Sequence, residues 1–105
     1  MGARMKTLLT ASAVLVLWAV PAIASDPGRG RQIAQQHCAA CHAIAHERDN
    51  AVIADSPPFE VIGRKHGFDE PALALAVRGP HPKMNFAVSG RDADDIAAYI
   101  ATLAR

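Results

Sequence analysis

The sequence predicts an all-α fold, with three or more short helices joined by long loops. Three helix starts are marked by capping residues, and apolar residues at helical spacing follow the last of them. No stretch alternates apolar and polar residues over the length of a strand. Large apolar side chains are also scarce, which favours helices packed around a bound group over helices packed only on one another.

The N-terminal 24 residues form a separate segment, in which 17 residues are apolar against 36 of the remaining 81. Two cations precede an apolar run over residues 8–20, and residues 22–24 read Ala-Ile-Ala, a small-x-small cleavage pattern. The run of 13 residues is shorter than the ~20 that a membrane-spanning helix needs. We therefore interpret residues 1–24 as a cleaved secretory signal peptide rather than a membrane anchor, and residues 25–105 as a single domain.

The charge and apolar content of residues 25–105 limit what this domain can be. It carries 9 basic and 10 acidic residues, so the basic balance of a nucleic-acid binder is excluded. Of its 36 apolar residues 16 are Ala and two are Cys, which leaves 18 larger side chains for the interior. Domains with so thin a core often recruit a metal, disulfides or a cofactor, and two cysteines are too few for a disulfide scaffold.

Two of the helices are predicted mainly from their ends. Asp26, followed by Pro27, starts a helix that we expect to run to about residue 38. Asp69 starts a short helix that ends near Gly79. The stretches 43–67 and 80–86 are predicted to be loops, because Pro and Gly punctuate them and neither has a sustained period.

The C-terminal helix has the clearest pattern. Ser89 and Asp92, three residues apart, resemble a capping box. Apolar residues then follow at i, i+3, i+4 and i+7, namely Ile96, Tyr99, Ile100 and Leu103. This spacing predicts one apolar stripe that faces the interior.

The motif with chemical content is Cys38-Ala39-Ala40-Cys41-His42, the attachment signature of c-type haem. Two thiols at this spacing can add across the two vinyl groups of a porphyrin, and the adjacent His42 is then delivered to the iron as proximal ligand. The motif follows a predicted helix, and an export signal would send it to an oxidising compartment.

A Cys-x-x-Cys pair has three other possible roles. A thioredoxin-like redox pair needs βαβ units, which the pattern lacks. A zinc site needs further ligands at close spacing, whereas His37, His46, His66 and His81 are scattered. A disulfide across so short a loop would add little stability.

The distal iron ligand is predicted by elimination. Met84 is the only methionine outside the signal segment, and it lies 42 residues after His42 in a loop that leaves its thioether free to reach the iron. The competing ligands are His81 and then His66.

With these motifs, residues 28–103 resemble a small bacterial class I cytochrome c. In that family a helix runs into CxxCH, and a methionine loop precedes a C-terminal helix. The resemblance implies that Gly30 lets the terminal helices cross closely, with Tyr99 at the crossing. It also implies that the carbonyl of Pro57 accepts the N–H of the proximal histidine, and that Phe59 packs on the haem.

The function expected from this resemblance is one-electron transfer by a single covalently attached haem c. With His42 and Met84 on the iron, no coordination site is left for a substrate, so we expect no enzymatic activity. The alternatives are a haem enzyme or gas sensor with a labile Met84, or a thiol–disulfide protein.

We expect a periplasmic monomer without a transmembrane segment in its mature form. Protein redox donors and acceptors are expected to dock at the exposed haem edge, where Arg78, His81 and Lys83 would form a local basic face.

Overall fold

The computed structural model of the chain describes residues 2, 13–19, 24–45, 56–81 and 86–104. Its helices are α1 (Pro27–His37), α2 (Phe59–Lys65), α3 (Glu70–Arg78) and α4 (Gly90–Ala101). No strand occurs within these described residues. The predicted all-α fold is therefore confirmed. None of the described helices combines the length and hydropathy needed to cross a bilayer.

The caps of α1, α3 and α4 form as predicted. A carboxylate oxygen of Asp26 accepts from the backbone N–H of Arg29 at 3.0 Å, and Asp69 does the same for Ala72. The hydroxyl of Ser89 accepts from the N–H of Asp92 at 3.1 Å. Each side chain satisfies an N–H that has no partner within its own helix, which fixes where the helix begins.

Helix α2 corrects the prediction that residues 43–67 form one continuous loop. The seven residues from Phe59 to Lys65 are too few to show a helical period in the sequence. Only Phe59 and Gly63, one turn apart, are buried. The ring of Phe68 lies where a Cβ on Gly63 would be, so tertiary packing against a glycine stabilises this short helix.

The core lies between α4 and the helices that pack on it, α1 and α3. The predicted stripe of α4 is buried, with Ile96 and Ile100 at most 1% exposed. Its neighbours across the interface include Ile33 of α1, Leu73 of α3 and Phe59 of α2. This packing fixes α1 and α2 relative to each other, although they are distant in sequence.

Helices α1 and α4 cross at Gly30, as the resemblance implied. A Cβ on Gly30 would overlap the carbonyl oxygen of Asp95 and would lie 2.9 Å from the backbone nitrogen of Ile96. Beside this contact the guanidinium of Arg29 pairs with Asp92 at 2.6 Å and with Asp95 at 2.5 Å. The absence of a side chain at Gly30 therefore allows this close crossing, and two ion pairs stabilise it. The ion pairs were not predicted from the sequence.

Candidate haem site

The end of α1 continues directly into the Cys-x-x-Cys-His segment. The N–H of Cys38 donates to the carbonyl of Ala34, and the N–H of His42 donates to the carbonyl of Cys38 at 2.8 Å. This turn places Cys38 and His42 on the wall of one cleft. Both cysteines are half-buried, and no disulfide joins them. The end of the helix thus presents Cys38 and His42 to a single site.

Burial raises the pKa of the Cys38 thiol, and the nearby Cys41 adds to this effect. A thiol–disulfide oxidoreductase needs the opposite, a lowered pKa that makes the thiolate available for attack. The environment of Cys38 therefore disfavours the thiolate that such an oxidoreductase would need.

His42 is oriented by the backbone of a distant loop. It is 9% exposed, and its Nδ1 lies 2.6 Å from the carbonyl oxygen of Pro57. A carbonyl can only accept, so Nδ1 carries the proton and Nε2 keeps its lone pair. An imidazole held in this tautomer has a free nitrogen for a metal ion, and the carbonyl fixes the orientation of the ring.

Pro57 and Phe59 lie beside His42 because a backbone hydrogen bond joins the start of α2 to the segment after His42. The N–H of Phe59 donates to the carbonyl of Ala43 at 2.8 Å, which brings the start of α2 against the residue after His42. The ring of Phe59 is 4% exposed and lies 5.6 Å from the ring of His42, centroid to centroid. Both residues predicted from the resemblance therefore lie at the site.

The cleft itself is mostly apolar and is partly open to solvent. The apolar wall includes Phe59, Ile62, Val77, Phe86, Val88 and Ile100. A porphyrin has large apolar faces, and Cys38 and His42 lie on this same wall. The residues present fit a covalently attached haem.

Several of these wall residues were not predicted. Ile62 belongs to α2, which the sequence did not predict. Phe86 and Val88 follow Met84 by two and four residues. Met84 itself lies outside the described residues. The described residues on either side of that gap, His81 and Phe86, both line the cleft.

The expected basic face needs a correction. The guanidinium of Arg78 donates to a carboxylate oxygen of Asp94 at 2.9 Å and to the carbonyl of Gly90 at 3.1 Å. Arg78 is therefore a partly neutralised residue that ties α3 to α4. Lys83, the second expected member of the basic face, lies outside the described residues. Within the described part of the chain, the third member, His81, has no acidic partner.

Residues 28–104 match the family model of cytochrome c. The chain belongs to the cytochrome c family. It is also 42% identical, over 83 residues, to cytochrome c-552 of Bradyrhizobium diazoefficiens, an alignment that covers 78% of this chain and 79% of the relative. No solved structure matches the chain significantly.

Membership establishes the general function. The protein is a c-type cytochrome, an electron carrier with covalently bound haem c, and Cys38 and Cys41 fit the CxxCH attachment motif. Its partners are accordingly redox proteins.

Proposed function

We propose that this cytochrome is an exported one-electron carrier in which Cys38 and Cys41 attach the haem and His42 and Met84 ligate the iron. The observation that carries the proposal is the contact between Nδ1 of His42 and the carbonyl of Pro57. It leaves Nε2 of a buried imidazole free at the wall of an apolar cleft that Cys38 also lines.

The proposed ligand pair explains why the protein carries electrons and does not process a substrate. Bound haem c supplies a single Fe(II)/Fe(III) couple. His42 and Met84 would together hold the iron, which would leave no coordination site for a substrate. The soft thioether of Met84 favours ferrous iron, and the apolar cleft disfavours the additional charge of ferric iron. Both effects raise the reduction potential.

We assign residues 1–24 to a signal peptide and the mature protein to the periplasm. The side chains from Val14 to Trp18 are 67–88% exposed and pack on no part of the core. Such an apolar segment contributes nothing to the folded domain, as expected of a leader that is removed. Mass spectrometry of the exported protein should give a chain that begins at Ser25; a retained leader would contradict this assignment.

We propose that redox partners dock on a monomer, at the edge of the cleft near the attachment cysteines. Because Asp94 neutralises much of the charge of Arg78, any attraction for an acidic partner depends on residues such as Lys83. Exchange of Lys83 for Gln should reduce the salt dependence of electron transfer to an acidic partner more than exchange of Arg78 for Gln.

One experiment tests attachment and ligation together. The chain is exported in cells with c-type haem maturation, and the mass and the absorption spectra of both oxidation states are recorded. We expect one haem in thioether linkage and the weak red band of ferric iron bound to a thioether. Met84→Ala should remove that band, while His66→Ala should leave it intact.

Three outcomes would contradict the proposal. Free thiols on a cooperatively folded, colourless protein would exclude haem attachment and favour a thiol–disulfide role. A red band that survives Met84→Ala would exclude Met84 as the ligand. Rapid binding of carbon monoxide to the reduced wild-type protein would show an open site, as in a sensor or haem enzyme.

A further inference from the structure

His81 is a second imidazole at the wall of the cleft that His42 lines. The two ring centroids are 5.7 Å apart and the ring planes are at 89° to each other. Within the described residues, His81 forms no hydrogen bond or ion pair. Its ring nitrogens are therefore not engaged by the part of the protein that the structure describes.

The spacing of the two rings is close to that of two imidazoles that share one metal ion. A ring nitrogen lies about 2 Å from a bound metal ion, so two imidazoles on opposite sides of it have centroids roughly 6 Å apart. The perpendicular planes do not prevent this arrangement, because each ring needs only to contain its own metal–nitrogen axis. Since Nδ1 of His42 is held by Pro57, its Nε2 is the nitrogen available on that side.

The position of His81 is fixed by the chain on both sides of it. Helix α3 is anchored on α4 by Leu73, which is fully buried, and His81 follows the end of α3 by three residues. Prolines precede and follow it in the sequence, at positions 80 and 82, which restricts its backbone to extended conformations. These restraints hold the backbone of the exposed His81 beside the cleft that its side chain lines.

We propose that His81 is a reserve distal ligand, which binds the iron opposite His42 when Met84 does not. This inference rests on the proposed function, since it requires a haem attached at Cys38 and ligated by His42. An imidazole in place of a thioether lowers the reduction potential. The protein can thus adopt a high-potential state ligated by Met84 and a low-potential state ligated by His81.

The test uses the exported holoprotein and compares spin states by electron paramagnetic resonance and absorption. We expect Met84→Ala to remain low-spin, with the spectrum of two imidazole ligands and a lowered reduction potential. The double variant Met84→Ala/His81→Ala should become high-spin and bind carbon monoxide rapidly in its reduced form. Added imidazole should restore its low-spin spectrum, which shows that the double variant is folded.

The matched control is Met84→Ala/His66→Ala, which removes a histidine that does not line the cleft and should stay low-spin. A high-spin Met84→Ala variant, or a double variant with His81→Ala that stays low-spin, would overturn the inference.

The proposed function is judged separately, on the wild-type protein. If the wild type lacks covalent haem, the proposed function fails, and the inference that rests on it fails with it. If the wild type has haem but no red band, and His81→Ala alone makes it high-spin, then His81 is the resident ligand, and both the assignment of Met84 and the reserve role of His81 are overturned.

Discussion

The rings of His37 and Phe86 stack face to face, with centroids 3.9 Å apart and planes within 4° of parallel. His37 is the last residue of α1 and directly precedes Cys38, whereas Phe86 follows Met84 by two residues. The stack therefore joins the haem-attachment segment to the segment that we propose carries the distal ligand. This contact holds Phe86, which follows that segment, against the end of α1.

Exchange of Phe86 for Leu should loosen this connection. The substitution keeps most of the apolar volume but removes the ring, so we expect the free energy of unfolding of the holoprotein to fall by about 1 kcal/mol. The red ferric band should weaken as Met84 spends more time off the iron. Denaturant titration and absorption measure the two effects. In a double-mutant cycle with His37→Ala, a coupling energy near zero would show that the two rings do not stabilise each other.

Exchange of Gly30 for Ala should force α1 and α4 apart. The new methyl group would overlap the carbonyl oxygen of Asp95, which is backbone and cannot rotate away. We expect a loss of about 2 kcal/mol or more in the free energy of unfolding. The control is Gly28→Ala, whose Cβ would meet only the side chain of Asp26, at 3.3 Å. That variant should be neutral or slightly more stable, and equal destabilisation by both would refute the close crossing.

Asp92 and Asp95 should make stability depend on acid pH. Burial acts to raise the pKa of Asp95, but the hydrogen bond from the N–H of Asp26 and the pair with Arg29 outweigh it and lower the pKa. The pKa of Asp92 is lowered chiefly by its hydrogen bond with Arg29. A lowered folded-state pKa gives stability that is fully present above the unfolded-state pKa of about 3.9 and is lost as the pH falls through the folded-state values.

The variant Asp95→Asn isolates this effect, because the amide oxygen can still accept from Asp26 while the charge is gone. We expect it to be less stable than the wild type at neutral pH and to lose less further stability as the pH falls below about 4. Urea unfolding at a series of pH values measures both. Parallel stability curves for the two proteins would show that Asp95 carries no pH-dependent stability.

Exchange of Tyr99 for Phe should detach α4 from the segment that follows His42. The hydroxyl of Tyr99 donates to the carbonyl of Ile44 at 2.6 Å, and burial raises the pKa of Tyr99, so the donor proton is retained at neutral pH. We expect a loss of about 1 kcal/mol in the free energy of unfolding. Amide exchange in residues 43–45 should also become faster. Unchanged stability and exchange would mean that water replaces the hydroxyl without cost.

Local signals in the sequence were sufficient for most of the fold. The caps at Asp26, Asp69 and Ser89 depend on a side chain and an N–H three residues apart, so the sequence contains both partners. Helix α2 could not be found in this way, because its seven residues are stabilised by Phe68 against Gly63 and by burial of Phe59. Those contacts exist only after the chain has folded.

The sequence by itself determined the chemistry that we propose for the site, because Cys38, Cys41 and His42 have the spacing of the haem-attachment motif at the end of a helix. Only the tertiary structure decided the orientation of His42, since the carbonyl that holds its Nδ1 comes from Pro57 across a loop. The same is true of His81, which is brought within 5.7 Å of His42 by the packing of α3 on α4. Spacing along a chain is local information, whereas the meeting of two distant segments depends on the packing of the whole domain.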